Sequence, residues 1–154
     1  MLLAASALLA ATLATAGLLD SAPPAFNGVA GQVIYRMGAI YYHPGEMDTM
    51  VTCANLDDAP VSVALELFDQ QDRPAGALTY ADVARGGTVT FVTSARPNRE
   101  QWVVVSGLFG IDHGKARVSA TSTRLSCTGY HNRRAADGSV RDTPLELVKK
   151  VARP

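Results

Sequence analysis

The fold class is decided by residues 47–69, which read MDTMVTCANLDDAPVSVALELFD. Side chains alternate in both halves of this stretch. Val51 and Cys53 fall on one side of the chain in the first half, and Val63 and Leu65 share a side in the second. The polar run between them, residues 55–60, ends in a proline and has turn chemistry. The stretch therefore predicts two half-buried strands joined by a turn.

The same short apolar pattern continues on both sides of this pair, whereas helical periodicity is rare between residues 31 and 130. Residues 77–84 are ambiguous, 102–105 are apolar on both faces and predict a central strand, and 115–128 predict one long final strand with a bulge near 121–123. The sequence therefore predicts an all-β protein. The predicted strands are residues 32–36, 47–56, 61–69, 88–93, 102–105 and 115–128, with 77–84 as a seventh candidate.

The order of these elements resembles that of bacterial secreted immunoglobulin-like β-sandwich domains. A strand ends at an Asn-containing turn over residues 52–60, a long strand follows, and Gly86-Gly87-Thr88 opens the next. The resemblance covers about residues 49–128 and implies an antiparallel immunoglobulin-like β-sandwich of about seven strands. It implies an architecture and no particular function.

The N-terminal residues 1–16 read MLLAASALLAATLATA and contain no charged side chain. An apolar run that closes on Ala14-Thr15-Ala16 is typical of a secretory signal peptide, so we expect a secreted or periplasmic protein with no membrane span after cleavage. The alternative is a retained anchor, since residues 1–19 are just long enough to cross a bilayer. If the signal peptide is cleaved, residues 17–30 would be a mobile mature N-terminus.

The expected export predicts the oxidation state of the two cysteines of the chain, Cys53 and Cys127. An exported chain meets an oxidising compartment, where two thiols usually pair. Strand alternation places Cys53 beside Val51 and Cys127 beside Leu125, on inward faces. We therefore expect a disulfide that crosses the core and joins the two layers of the domain, residues 31–130.

The C-terminal residues 131–154 differ in composition and carry six basic and three acidic side chains. We expect a polar linker with a turn at Asp137-Gly138, and then a short helix. Thr143 can cap that helix, Pro144 suits its first position and Glu146 can complete a capping box. The excess positive charge indicates a solvated tail more than a binding patch.

The overall charge excludes some functions, because 14 basic and 14 acidic side chains leave no excess for nucleic acid or an anionic membrane. No motif for a cofactor is present. The Tyr41-Tyr42-His43 region suggests a metal alternative, a periplasmic copper site on His43, Met47 and Met50. A second alternative is a small hydrolase that would use Asp112 and His113 with Ser106 or Ser119.

The preferred interpretation is an exported, non-catalytic binding or structural module of the cell envelope or medium. Tyr35, Tyr41 and Tyr42 are the candidate binding residues, because a tyrosine offers both an apolar face and a hydroxyl. The expected partner is a protein or a glycan. An open sheet edge, or loops at one end of the sandwich, would serve binding equally well.

Overall fold

The computed structural model describes residues 21–93, the backbone of 102–104, and residues 110–150. All regular elements in these residues are strands. They are β1 (Ala25–Phe26), β2 (Val29–Ala30), β3 (Gln32–Tyr42), β4 (Met47–Asn55), β5 (Val61–Phe68), β6 (Pro74–Val83), β7 (Thr88–Val92), β8 (Trp102–Val104), β9 (Ile111–Ala120), β10 (Leu125–Arg134), β11 (Val140–Leu145) and β12 (Val148–Lys149).

Two five-stranded sheets form a sandwich-like, all-β architecture. The first sheet has the strand order β11-β10-β4-β7-β8, and the second has the order β12-β3-β9-β5-β6. All neighbouring strands are antiparallel except β7 and β8, which are parallel. The strands β1 and β2 pair separately as a short hairpin. The prediction of an all-β fold with antiparallel sheets is confirmed.

The core is built by the alternation that the sequence displays. On β5, Val63, Leu65 and Leu67 are almost fully buried, and on β4 Val51 and Cys53 are fully buried. These side chains pack with Phe91 and other residues of both sheets into one cluster. Apolar burial of this kind is the main stabilising contribution to a domain, so the segment that decides the fold also supplies much of the core.

The turn over residues 55–60 is held by Asn55, whose side chain is fully buried. Its amide donates to the carbonyls of Ala59 and Val83, both at 2.8 Å, and its oxygen accepts from the N–H of Asp57 at 2.7 Å. Val83 ends β6 in the second sheet, so Asn55 joins the two sheets as well as closing the turn.

The disulfide between Cys53 and Cys127 is confirmed, with Cα atoms 4.1 Å apart. The expectation that it joins the two layers is wrong. Cys53 and Cys127 lie directly opposite each other on β4 and β10, which are neighbours in the first sheet. Alternation gives the face of a strand on which a side chain lies, but it does not give the neighbouring strand. The bridge therefore staples one sheet, on its core side.

The predicted long strand over residues 115–128 is also wrong. The chain forms β9 up to Ala120, turns, and begins β10 at Leu125. β9 lies in the second sheet and β10 in the first. The change of phase in the apolar pattern therefore marks the turn by which the chain passes between sheets.

Two further expectations fail near the ends of the sheets. The strand at 102–104 lies at the edge of the first sheet, beyond β7, and is not central among the described strands. No helix starts at Thr143, because residues 140–145 pair with β10 as β11 and Val148–Lys149 pair with β3 as β12. The tight turn at Asp137-Gly138 brings β11 back onto β10, and strand pairing then overrides the local helix signal. Turn chemistry at Asp137-Gly138 is confirmed, with Gly138 at φ 82°.

The N-terminal segment meets the outer face of the second sheet at Arg117, which is only 1% exposed. The guanidinium donates to both carboxylate oxygens of Glu66, at 2.7 and 2.9 Å, and to the carbonyls of Ser21 and Ala22. A charge this deeply buried needs such a full set of partners. The mobility that the sequence suggests for residues 17–30 stays a prediction, and the expected signal peptide lies outside the described residues.

Candidate functional site

One end of the sandwich carries the three histidines of the chain, and two of them contact Tyr41. β3 ends at Tyr42 in the second sheet, and a tight turn from His43 to Met47 leads into β4 of the first. β9 starts beside this turn with Asp112 and His113, and β10 brings His131 from the other sheet. We call Tyr41, His43, Asp112, His113 and His131 the tyrosine–histidine cluster.

A distortion of β3 positions Tyr41 in this cluster. The pairing of β3 with β9 shifts register between Met37 and Ile40 and again between Ile40 and Tyr42. Ala39, inside the first shift, has a φ of 55°, a value that L-residues rarely adopt. Bulges of this kind turn side chains away from regular alternation. The bulged end of β3 therefore places Tyr41 between His113 and His131.

Tyr41 contacts both of these imidazole rings. Its hydroxyl is hydrogen-bonded to Nδ1 of His113 at 2.7 Å, and the two rings meet edge to face with centroids 4.9 Å apart. The ring of His131 meets Tyr41 in the same manner at 5.3 Å. The rings of Tyr41, His113 and His131 are therefore in continuous edge-to-face contact across the end of the sandwich.

His131 is the buried member of the cluster, 9% exposed. Its Nδ1 is hydrogen-bonded to Oγ1 of Thr49 at 3.1 Å, and that hydroxyl donates to the carbonyl of Tyr41 at 2.8 Å. Burial lowers the pKa of His131 below the ordinary histidine value, because the charged imidazolium is poorly solvated there, and a hydrogen bond to the backbone of Ala39 partly opposes this. His131 and Thr49 thus link the two sheets at this end, through the carbonyl of Tyr41.

His43 and Asp112 form the exposed part of the cluster. Nε2 of His43 lies 2.6 Å from a carboxylate oxygen of Asp112, and the two side chains are 41% and 64% exposed. An exposed pair of this kind contributes little to stability. Among the described residues, no group of three or more His, Cys, Asp or Glu side chains is arranged to hold a metal ion.

The residues of the copper alternative are only partly brought together. His43 and Met47 face each other across the turn as an isolated bridge. Met50 lies three residues after Met47 on β4, so the two point to opposite faces of the strand. Met50 is buried, and its sulfur accepts a hydrogen bond from the amide of Asn132 at 2.8 Å. One site cannot use all three without rearrangement of β4.

The described residues of the hydrolase alternative, Asp112, His113 and Ser119, do not form a triad. Asp112 pairs with His43, and His113 pairs with the hydroxyl of Tyr41. Ser119 is fully buried six residues further along β9, about 20 Å from His113 at the usual rise of a strand. Its hydroxyl donates to Glu66 on the outer face of the sheet. Ser106 lies outside the described residues.

The three candidate binding tyrosines occupy three different environments. Tyr35 is 7% exposed, and its hydroxyl donates to the carbonyl of Leu125 in the opposite sheet at 3.0 Å. Tyr41 belongs to the tyrosine–histidine cluster, and Tyr42 packs partly buried against the core. They do not form one exposed surface, and their role in binding stays a prediction.

A second feature of functional interest is the edge strand β6. It ends the second sheet and, among the described strands, pairs only with β5. Six of its ten residues are exposed, and Tyr80 is 43% exposed. Its only charged residue is Asp82, next to Val83 at the very end of the strand. In the sequence, residues 77–84 are ambiguous between an edge strand and a helical turn, because small residues weaken the alternation. The low charge of the run is the sequence feature that could have indicated an unprotected edge.

Comparison with known proteins finds no family model, curated protein or solved structure that matches the chain. The resemblance to bacterial immunoglobulin-like domains therefore stays a prediction. In the part of the chain that the structure describes, no helix has the length and apolar character required to cross a bilayer. The disulfide is consistent with an extracellular or periplasmic location.

Proposed function

We propose that the protein is an exported, non-catalytic β-sandwich module that binds an extended segment of a partner protein along the edge strand β6. The observation that carries the proposal is the outer edge of β6, which is ten residues long and almost uncharged. An edge strand presents a row of backbone N–H and C=O groups. A peptide in extended conformation can pair with that row and so add a strand to the sheet.

The other edges of the two sheets support this choice by contrast. β11 carries Arg141, Asp142 and Pro144 within six residues, and charges and proline are the usual protection of an edge against pairing. β12 has two residues and β8 has three, so both are too short to hold a peptide firmly. Among these four edges, β6 is the longest. Its proline, Pro74, and its charge, Asp82, lie near its two ends, which leaves residues 75–81 without either.

The side chains of β6 suit a peptide more than a glycan. Thr79 and Ala81 are small and exposed, so a second backbone can approach to the usual strand spacing of about 4.8 Å. Tyr80 supplies an exposed ring for side-chain selectivity. Sugar recognition would instead favour several aromatic rings and carboxylates on one surface, and β6 offers one ring.

Export is the second part of the proposal. It is supported by the apolar leader over residues 1–16 and by the disulfide, which needs an oxidising compartment to form and persist. A secreted or periplasmic module with one edge strand open to pairing fits a structural or binding role in the cell envelope.

The test uses a library of linear peptides displayed on phage, selected against the purified protein. The variant Thr79→Lys introduces a charge on the β6 edge, and Thr143→Lys makes the same exchange at an exposed position of the β11 edge. We expect selected peptides to bind the wild type and Thr143→Lys equally, and to bind Thr79→Lys at least about tenfold more weakly, because the edge is then blocked. Hydrogen exchange should show protection of amides in residues 74–83 on binding.

Three results would overturn the proposal. These are failure to select any peptide, protection confined to another strand, or equal weakening by both lysine variants. Binding of peptidoglycan fragments that is unchanged in Thr79→Lys would assign the module to a glycan instead.

A further inference from the structure

The hairpin formed by β10 and β11 carries three arginines at its tip. Arg133 and Arg141 lie directly opposite each other on the two strands, and Arg134 is the last residue of β10. Directly opposite residues of an antiparallel pair project from the same face, so Arg133 and Arg141 stand side by side. We call Arg133, Arg134 and Arg141 the arginine hairpin tip.

The opposed pair is unfavourable by itself, because like charges directly across a sheet repel. None of the three guanidinium groups makes an ion pair with any described residue, whereas Arg73, Arg117 and Arg124 all pair with carboxylates. The nearby carboxylate of Asp137 is used in the turn, where it accepts from the N–H and the hydroxyl of Ser139. The tip therefore carries three positive charges, and the carboxylate of its turn, that of Asp137, forms no ion pair with them in the described residues.

A cavity of about 380 Å³ lies at this tip, lined by Arg133, Arg134, Ala135, Ala136 and Arg141. Its described lining contains no acidic side chain. Guanidinium groups bind the oxygens of phosphate in pairs of parallel hydrogen bonds, and a phosphate with close to two negative charges would balance most of the charge at the tip. We propose that the arginine hairpin tip is a binding site for a phosphate group.

The proposal is independent of the β6 edge, because the arginine hairpin tip belongs to the other sheet. The phosphate could be a free ion or the headgroup of a phospholipid. Both offer the same oxygen acceptors to the guanidinium groups, and a phosphodiester headgroup carries one negative charge fewer than a doubly charged phosphate. The overall charge balance of the chain argues against general attraction to anionic surfaces, so recognition would depend on this one place.

The first experiment titrates the purified protein with inorganic phosphate in a calorimeter. The double variant R133Q/R141Q should bind at least about tenfold more weakly than the wild type, because the paired donors are lost. The matched control K149Q/K150Q removes the same charge from the neighbourhood of β12, and it should bind within about twofold of the wild type.

A second experiment measures the melting temperature of the wild type and the variants, first without phosphate and then with it. At low ionic strength and without phosphate, Arg141→Gln should melt at a higher temperature than the wild type, because the repulsion from Arg133 is removed. Phosphate should raise the melting temperature of the wild type and leave that of R133Q/R141Q unchanged.

A third arm uses vesicles of phosphatidylglycerol, with phosphatidylcholine vesicles for comparison. Binding to phosphatidylglycerol that disappears in R133Q/R141Q supports the site with a lipid headgroup as its source, and phosphate binding without vesicle binding supports it with a soluble ligand. The proposal is overturned if neither phosphate nor vesicles bind, or if K149Q/K150Q weakens binding as much as R133Q/R141Q does.

Discussion

Strand β4 has a buried polar side chain near each end, and each one ties the first sheet to the second. At the asparagine end, the amide of Asn55 donates to the carbonyl of Val83 on β6. At the histidine end, the hydroxyl of Thr49 donates to the carbonyl of Tyr41 on β3 and is itself hydrogen-bonded to His131. The same strand thus joins the sheets twice, with different chemistry.

The difference lies in what can ionise. The amide of Asn55 has one state at every ordinary pH, whereas the imidazole of His131 can gain a proton. The asparagine end should therefore be a permanent connection and the histidine end a pH-dependent one. The disulfide of Cys53 and Cys127 lies between the two ends, two residues from Asn55 along β4.

The largest expected effect comes from removing the disulfide. The double variant C53A/C127A should lose about 4 kcal/mol of unfolding free energy in the chain-entropy description, because the bridge closes a loop between residues 74 apart in sequence. Urea unfolding at pH 7.5 measures this loss. Because β4 and β10 remain neighbours in one ladder, the circular dichroism spectrum should stay that of a β-protein.

This measurement shows whether the hydrogen bonds at the asparagine and histidine ends of β4 keep the two sheets together without the disulfide. The reduced wild type is the control and should lose a similar amount. A loss below about 1 kcal/mol would mean that the unfolded chain gains little freedom, which contradicts the account of the bridge.

The next effect in size is expected from Asn55→Ala, which should destabilise the fold by about 2–4 kcal/mol. The substitution removes three hydrogen bonds and leaves the carbonyls of Ala59 and Val83 without their donor. Thermal or urea unfolding measures the loss, and it should be the same at pH 7.5 and at pH 5.5 because no proton is involved. Asp58→Ala, in the exposed part of the same turn, is the control and should cost much less. Equal losses in the two variants would show that Asn55 acts only through the turn.

The asparagine end could be predicted from sequence because it is local. Turn residues 55–60 follow one another, and the alternation of β4 and β5 on either side is plain. The histidine end could not be predicted, since His131 is 82 residues from Thr49 and His113 is 72 from Tyr41. His131 lies directly opposite Thr49 on the paired strands β10 and β4, and His113 lies on β9, which pairs with β3. A pattern along one strand does not report which distant strands become neighbours.

The disulfide and the C-terminal segment show the same limit. Alternation placed both cysteines on inward faces and could not say that their strands are neighbours. The helix signal at Thr143 and Glu146 was local and real, but the equally local turn at Asp137-Gly138 allowed pairing with β10, and the longer-range contact prevailed. Local chemistry predicted which residues turn or face the core, and topology decided which of them meet.

The smallest effect is the one that separates the two ends. The pKa of His131 is lowered by burial, so the folded protein takes up this proton less readily than the unfolded chain does. Stability is then fully present above the ordinary histidine pKa of about 6.5 and falls as the pH drops through that value. For one proton the fall is at most about 1.4 kcal/mol per pH unit, and it ends below the lowered pKa of the folded state.

Urea unfolding between about pH 7.5 and 5.5 should show this fall in the wild type and not in His131→Gln, whose side chain does not titrate. His43→Gln is the matched control, because His43 belongs to the same cluster but lies exposed beside Asp112, and this variant should keep the contribution of His131. If His131→Gln loses stability in acid as steeply as the wild type, the proton is taken up elsewhere. The histidine end would then be as permanent a connection as the asparagine end, and the contrast between them would be one of residue type alone.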